Sequence, residues 1–565
     1  MSTSVDPAAL AAEVRARLTG PGGPFELTVE DVRDIPMPVW KNRRHSVLDW
    51  LDESAALGER EYLVQGDRRL TYAEHRAAVE RLAAVLHAEH GVLPGKQVAI
   101  LAANSIEWVV AMWATLSLGA VVVAGNAWWT VHEAAHALDR AEPEVIIADR
   151  KRAKLVEGVG VDVLATDGLL QLRSTGDGGH PDGRSPTAED DPAVVVYTSG
   201  TTGHPKGATH SHRNLLAVIE YHRYTDAAAT AMAEAFGMPA RTEPRRFLMS
   251  LPLFHIASLH NCVIPRLTLG DTVVIDDGPF DVERVFGVIE RERITNWAVV
   301  PTMAHRVVEN PALADYDLSS LAALSINSAP SSPALKDRVR AAIPNVQAAI
   351  ADSYGLTESS TAATLATPMD LITHPTSVGT TIPSVALSVR DADGERVPDG
   401  EEGEIWLRSQ FVMLGYWRDD EATKTAITPD GWLRTGDLGS VRDGRLYLAT
   451  RRSDLILRGG ENVYPAEIEA VLDEHAAVVE CAVFGVDDAD LGQAVAAIVV
   501  SDGADEDELR AFVADRLAYY KVPAHWRLTQ TPLPRTATGK VIRTALSLSP
   551  NLTDNLVAAR ETERN

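Results

Sequence analysis

Residues 197–207, YTSGTTGHPKG, constrain this chain more than any other stretch. Val194, Val195 and Val196 precede them as a β-branched run with strand character. The run breaks into Thr198, Ser199, Gly200, Thr201, Thr202 and Gly203, and Pro205, Lys206 and Gly207 close the loop. Glycines let backbone N–H groups turn inward, the hydroxyls add donors, and Lys206 adds a positive charge. A strand opening into such a concavity suits a polyphosphate. The spacing is not that of the common P-loop, G-x-x-x-x-G-K-[ST]. Taken by itself, a Ser/Thr/Gly-rich string is also an ordinary surface loop. Charge adds weight to the ligand reading. The net charge of −26 argues against a nucleic-acid or anionic-membrane surface, so an anionic ligand must meet local cations such as Lys206 and Lys540.

At 565 residues the chain exceeds one ordinary core and predicts several subdomains. Residues 1–45 read as a preamble. Residues 46–57 and 71–90 have helical periodicity, the second opened by a capping box of Thr71 and Glu74. Strand and helix then alternate. Residues 97–101, 145–148, 194–197, 247–250, 272–275, 296–300 and 323–326 predict strands and 106–118 a helix, a pattern of parallel α/β layers. The polar run 174–191 reads as a flexible connection. Residues 108–131 carry no acidic or basic side chain and are long enough to cross a bilayer. A helix end at Ser117-Leu118-Gly119, a strand-like 120–124 and Asn126 predict a buried helix–strand unit instead, with no transmembrane segment. Farther on, 478–486 and 494–500 predict strands and 506–517 a helix.

A competing signal sits at His132-Glu133-Ala134-Ala135-His136, which matches the H-E-x-x-H pattern of zinc proteases. Thr130 and Glu133 also form a capping box, which turns Glu133 toward the helix start rather than toward a metal-bound water. Cys262 and Cys481 offer neither metal spacing nor a disulfide framework. Together with an N-terminus lacking the basic-then-apolar pattern of a secretory signal, this predicts a cytoplasmic protein.

The loop is followed, in order, by Ser250-Leu251-Pro252-Leu253-Phe254-His255-Ile256, by Asn327-Ser328-Ala329-Pro330 and by Asp352-Ser353-Tyr354-Gly355-Leu356-Thr357-Glu358. Then come Trp432-Leu433-Arg434-Thr435-Gly436-Asp437, the run 451–465 and Leu533-Pro534-Arg535-Thr536-Ala537-Thr538-Gly539-Lys540. This ordered set resembles the adenylate-forming superfamily of acyl-CoA synthetases, peptide-synthetase adenylation domains and luciferases. The resemblance implies an α/β fold with a large N-terminal domain of layered α/β subdomains, residues 1–452, and a small mobile α+β C-terminal domain, residues 453–565.

It also implies roles. Thr198, Ser199, Gly200, Thr201, Thr202, Gly203 and Lys206 would hold ATP phosphates. His255 and Ile256 would border the carboxylate pocket, where α-amino-acid-activating relatives carry Asp; without that counter-charge an ammonium is poorly held. Asn327 and Ser328 replace the family's paired glycines beside the acyl group, with Ala329 and Pro330 continuing the turn near adenine. Asp352, Ser353 and Gly355 belong to the nucleotide segment. Tyr354 would lie on the adenine, Thr357 near the α-phosphate and Glu358 on Mg²⁺, tasks suited to an aromatic face and a hard carboxylate oxygen. Asp437 would accept the ribose hydroxyls and Arg451 reach the same sugar. Ser453 aligns with the hinge, Gly459 and Gly460 with a pantetheine passage, and Lys540 with the lysine that bridges carboxylate and α-phosphate.

The implied reaction uses ATP, Mg²⁺ and coenzyme A. A carboxylic acid, fatty or similarly hydrophobic, becomes an acyl-adenylate with release of pyrophosphate, and a thiol then takes the acyl group. Its partners are these small molecules, with no nucleic acid, and the chain acts as a monomer or homodimer. Other functions compatible with parts of the sequence are a stand-alone enzyme that loads a carrier protein, a luciferase-like oxygenase, a non-catalytic nucleotide-binding relative and the H-E-x-x-H protease.

Overall fold

The computed structural model describes residues 7–172, 187–198, 205–238, 243–276, 278–326, 331–346, 350–451, 454–458, 461–488, 491–517, 519–535 and 541–546. The predicted alternation builds two large mixed sheets. In one, the strands run in the order Gly415–Tyr416, Lys206–Ser211, Pro192–Thr198, Val121–Ala124, Gln97–Leu101, Val145–Ala148 and Asp162–Ala165. From Pro192–Thr198 onward they are parallel. The central strands are buried along their whole length, as strands covered on both faces must be. Helix Ile106–Ser117 is buried at every residue and leads into Val121–Ala124, the expected helix–strand unit. Among the described residues no helix is long and apolar enough to cross a membrane.

The second sheet runs Thr380–Thr381, Ala362–Ala366, Ile350–Gly355, Ala323–Ile326, Asn296–Val299, Arg246–Met249, Thr272–Ile275, Glu61–Gln65, Arg68–Thr71. It is parallel from Ile350–Gly355 through Glu61–Gln65. The two sheets share one apolar core, in which Tyr62, Trp108, Trp113, Val122, Leu253 and Ile264 meet. An antiparallel sheet of Ala386–Arg390, Gly403–Arg408, Leu433–Arg442 and Arg445–Arg451 follows. Beyond it, helices Pro465–Leu472 and Glu506–Ala514 cover a sheet built on Val478–Asp488 and Gly492–Ser501, with a core of its own around Ile468, Val483, Val495 and Leu509.

Three expectations need correction. The preamble is structured: helix Pro7–Thr19 and the hairpin Leu27–Val32/Ile35–Trp40 pack on helix His212–Ala235. The Trp40 indole donates to the Ala217 carbonyl at 3.2 Å and its ring meets Phe25 and Tyr224. The hairpin turns through Arg33 and Asp34, both left-handed (φ 54° and 64°), instead of the Asn-Gly or Gly pair that advertises such a turn. Second, the end of the supposed flexible run is tied down. Glu189 is held by Arg43 and Arg213, and Asp190 by Arg213, while 173–186 lie outside the described residues. Third, Lys206 and Gly207 do not merely close a loop but begin a strand antiparallel to Pro192–Thr198. A Cβ at Gly207 would stand 2.6 Å from Val195 Cγ1, so glycine permits this close pairing.

Candidate active site

Three of the described motif segments sit where parallel strands end. Thr198 closes Pro192–Thr198, His255 follows Arg246–Met249, and Leu356 to Glu358 follow Ile350–Gly355. Crevices at the carboxyl ends of parallel strands are where open α/β sheets bind ligands. Across the edge of the first sheet, Lys206–Ser211 pairs with Gly415–Tyr416, with Ala208 opposite Tyr416. Tyr416 then touches two candidate residues. Its ring lies 5.3 Å from Lys206 Nζ, and its hydroxyl donates to Glu358 Oε1 at 2.8 Å. The Met413 amide donates to the Glu358 carbonyl at 2.9 Å, so the segment before Tyr416 fixes the Glu358 backbone as well. Sequence reasoning missed Tyr416, which stands in no motif and is placed only by pairing with a distant strand.

Tyr354 and Asp437 also meet. The phenol donates to Asp437 Oδ2 at 2.8 Å, and both residues are buried. The Asp437 amide donates to Thr435 Oγ1 at 3.1 Å, and register places Arg451 directly across the ladder from Asp437. Thr357 and Glu358 stand in a short turn, Thr357–Ser359. A Cβ at Gly355 would fall 2.4 Å from the Thr361 carbonyl oxygen, so only glycine fits before this turn. Asp352 is committed within the protein. Its Oδ2 takes Lys336 Nζ at 2.6 Å and the Ser331 hydroxyl at 3.5 Å, and its Oδ1 takes the Ser353 amide at 2.9 Å. Burial pushes this carboxyl above the ordinary range and the Lys336 ammonium draws it back. Lys336, on helix Pro333–Ala342, is a second residue with no sequence signal.

His255 caps the short helix Ile256–Ser258, its Nδ1 accepting the Ala257 amide at 3.3 Å. That bond fixes the proton on Nε2, and burial pushes the imidazole down to about 4, so the ring is a neutral donor at neutral pH. Ile256 is buried beside it, and the neighbouring Phe254 ring meets the half-exposed Trp128 edge-on at 5.1 Å. The chain then passes through a π-helical turn, Leu259–Val263, a form frequent at functional sites. Thr198 Oγ1 donates to the Lys206 carbonyl at 3.4 Å across the base of the phosphate loop.

Ser199, Gly200, Thr201, Thr202, Gly203, Asn327, Ser328, Ala329, Pro330, Ser453, Gly459, Gly460 and Lys540 lie outside the described residues. The protease alternative loses its base. Glu133 accepts the Thr130 amide at 2.8 Å in a full capping box, and among the described residues no cluster of metal-ligating side chains occurs. A polar cleft of about 510 Å³ opens elsewhere, at Asn104, Ser105, Asp149 and Thr166, and includes none of the candidate residues.

The profile of the AMP-binding enzyme family matches residues 51–417, and that of the AMP-binding enzyme C-terminal domain matches residues 467–540. The long-chain-fatty-acid–CoA ligase FadD13 of Mycobacterium tuberculosis is 33% identical over 85% of this chain and 93% of its own. Feruloyl-CoA synthase from an Amycolatopsis species is 36% identical over the same shares, 85% and 93%. Among solved structures, the O-succinylbenzoate coenzyme A synthetase MenE of Bacillus subtilis, in complex with ATP and magnesium, superimposes with a TM-score of 0.75 at 32% identity. That superposition covers 88% of this chain and 98% of MenE.

Proposed function

This chain belongs to the AMP-binding enzyme family and is an AMP-forming acid–thiol ligase, and we propose that its acid is hydrophobic, fatty or aryl, and its thiol coenzyme A. In the first step a carboxylate oxygen attacks the α-phosphorus of ATP and pyrophosphate leaves; in the second a thiol attacks the acyl carbon and AMP leaves. No covalent nucleophile is required of the protein. It must hold the reacting groups in line and meet growing negative charge.

The observation that carries the reading is Tyr416 contacting both Lys206 and Glu358, which sets a cation and a carboxylate beside one phosphate-loop strand. One carboxylate next to phosphate oxygens is the donor set Mg²⁺ takes, so Glu358 fits that ion, which would neutralise phosphate charge. The Nε2–H of a neutral His255 is suited to donate to the substrate carboxylate. Tyr354 would stack the adenine while Asp437 accepts from the ribose, and Asn327 and Ser328 would shape the acyl wall. Lys540 would serve adenylation, and residues 453–565 would turn about Ser453 to admit the thiol past Gly459 and Gly460. The hydrophobic acid is supported by what FadD13 and feruloyl-CoA synthase act on, and by a histidine where an ammonium would need a carboxylate. The chain would work in the cytoplasm as a monomer or homodimer.

Pyrophosphate release from medium-chain, long-chain, aryl and sterol-derived acids, with coenzyme A as the sole thiol, tests this. Turnover of at least one hydrophobic acid to its CoA thioester is expected. Adenylation that stalls without a carrier protein would move the function to carrier loading.

A further inference from the structure

Directly after Glu358 the backbone is forced into an uncommon shape. Ser360 has φ 60° and ψ −32°, and across it the Thr361 amide donates to the Ser359 carbonyl at 2.6 Å. This i→i+2 closure with positive φ is a γ-turn of the rare, strained hand. Ser360 is completely buried, and three separate parts of the chain grip it. Its hydroxyl donates to the Phe411 carbonyl at 2.6 Å. That hydroxyl proton is then used, so the His210 Nδ1 at 2.9 Å donates to Ser360 Oγ. His260 Nδ1 donates to the Ser360 carbonyl at 3.2 Å. The two rings meet edge-on at 4.6 Å, and both residues are wholly buried.

The gripping elements are those of the active site. His210 lies on the strand begun by Lys206, and His260 lies on the π-helical turn five residues beyond His255. Phe411 belongs to the segment whose Met413 and Tyr416 hold Glu358. Strain of this kind persists only where the surroundings over-determine it, and it collects at functional sites. An unstrained turn would swing Thr357 and Glu358 relative to Lys206, because the chain must enter strand Ala362–Ala366 immediately afterward.

We propose that Ser360 is a positioning residue for adenylation, a strained γ-turn locked by His210, His260 and the Phe411 carbonyl that aims Glu358 and Thr357 at the phosphates. This rests on the assignment of Glu358 to Mg²⁺. The serine Cβ disfavours this positive-φ backbone, and its hydroxyl, which receives one bond and gives another, holds the turn against that strain. Ser360→Ala keeps the Cβ and removes both bonds. His210→Leu removes one bond from outside the turn, and His210→Asn restores a donor at the position of Nδ1.

The test measures pyrophosphate release against Mg²⁺ concentration and, separately, thioester formation from synthetic acyl-adenylate and coenzyme A. Ser360→Ala and His210→Leu are expected to raise the half-saturating Mg²⁺ about tenfold or more and slow adenylation, while thioester formation from the adenylate stays within twofold. His210→Asn is expected to return most of the lost Mg²⁺ response. Unchanged Mg²⁺ dependence in His210→Leu, or equal slowing of both half-reactions, overturns the proposal, as does an Asn variant no better than Leu. Should Ser360→Ala not fold, the His210 pair decides alone. Glu358→Gln is run alongside. Wild-type Mg²⁺ dependence there would bring down the Glu358 assignment itself, whereas an impaired Glu358→Gln beside an unaffected His210→Leu would remove only the positioning role.

Discussion

Replacing Tyr416 separates the two contacts that join Lys206 to Glu358. Tyr416→Phe keeps the ring over Lys206 Nζ at 5.3 Å and deletes the hydroxyl that reaches Glu358 Oε1 at 2.8 Å. A hydrogen bond to a charged group contributes about 1.5–3 kcal/mol. If that restraint is fully expressed in the first transition state, adenylation slows roughly 10- to 150-fold. Tyr416→Leu also removes the aromatic face, and a cation–π contact contributes about 0.5–2 kcal/mol, so a further loss of roughly two- to thirtyfold is expected. The rank order wild type, Phe, Leu should appear in pyrophosphate release at saturating acid, with circular dichroism and melting temperature near wild type because Tyr416 is an edge-strand residue. A Phe variant at wild-type rate would refute the coupling of Tyr416 to Glu358. A Leu variant no slower than Phe would refute the contribution of the ring to Lys206.

Two further outcomes concern stability. Lys336→Met strands the buried Asp352 carboxylate and should cost about 3–5 kcal/mol, with the double variant Lys336→Met/Asp352→Leu recovering much of it; urea midpoints check this, and a loss below about 1 kcal/mol contradicts the buried pair. Burial holds His75 down at about 3 and His212 and His260 at about 4, so the folded state keeps them neutral where the unfolded chain takes up protons. Their contribution is therefore intact above pH about 6.5 and lost as pH falls toward 4 for His212 and His260 and toward 3 for His75, at up to about 1.4 kcal/mol per unit and group. His75→Leu should flatten the slope of unfolding free energy between pH 7 and 5, and an identical slope would contradict it.

Much of the fold was legible because buried parallel strands are short apolar runs bounded by turn residues. Gln97–Leu101, Val145–Ala148, Thr272–Ile275 and Ala323–Ile326 match their expected limits, and the Thr71–Glu74 capping box forms. What stayed hidden depends on partners remote in the chain. Lys206–Ser211 becomes a strand only because Pro192–Thr198 pairs with it, and helix Pro7–Thr19 shows little segregation of apolar residues to announce it. Within the site, Tyr354, Asp437, Glu358, His255 and Lys206 stood in readable motifs. Tyr416 is 58 residues from Glu358 and His210 is 150 residues from Ser360, and no local pattern predicts a bond across such separations.

If Lys540 serves adenylation alone and a thiol enters for the second step, the two half-reactions must separate when the lysine is removed. Presteady-state measurement of each half-reaction in Lys540→Ala tests it most directly. Loss of one preorganised charge contact slows a step about 10²–10³-fold. That loss is expected in acyl-adenylate formation from acid and ATP, with synthetic acyl-adenylate converted to thioester at close to the wild-type rate. Equal slowing of both halves would contradict it.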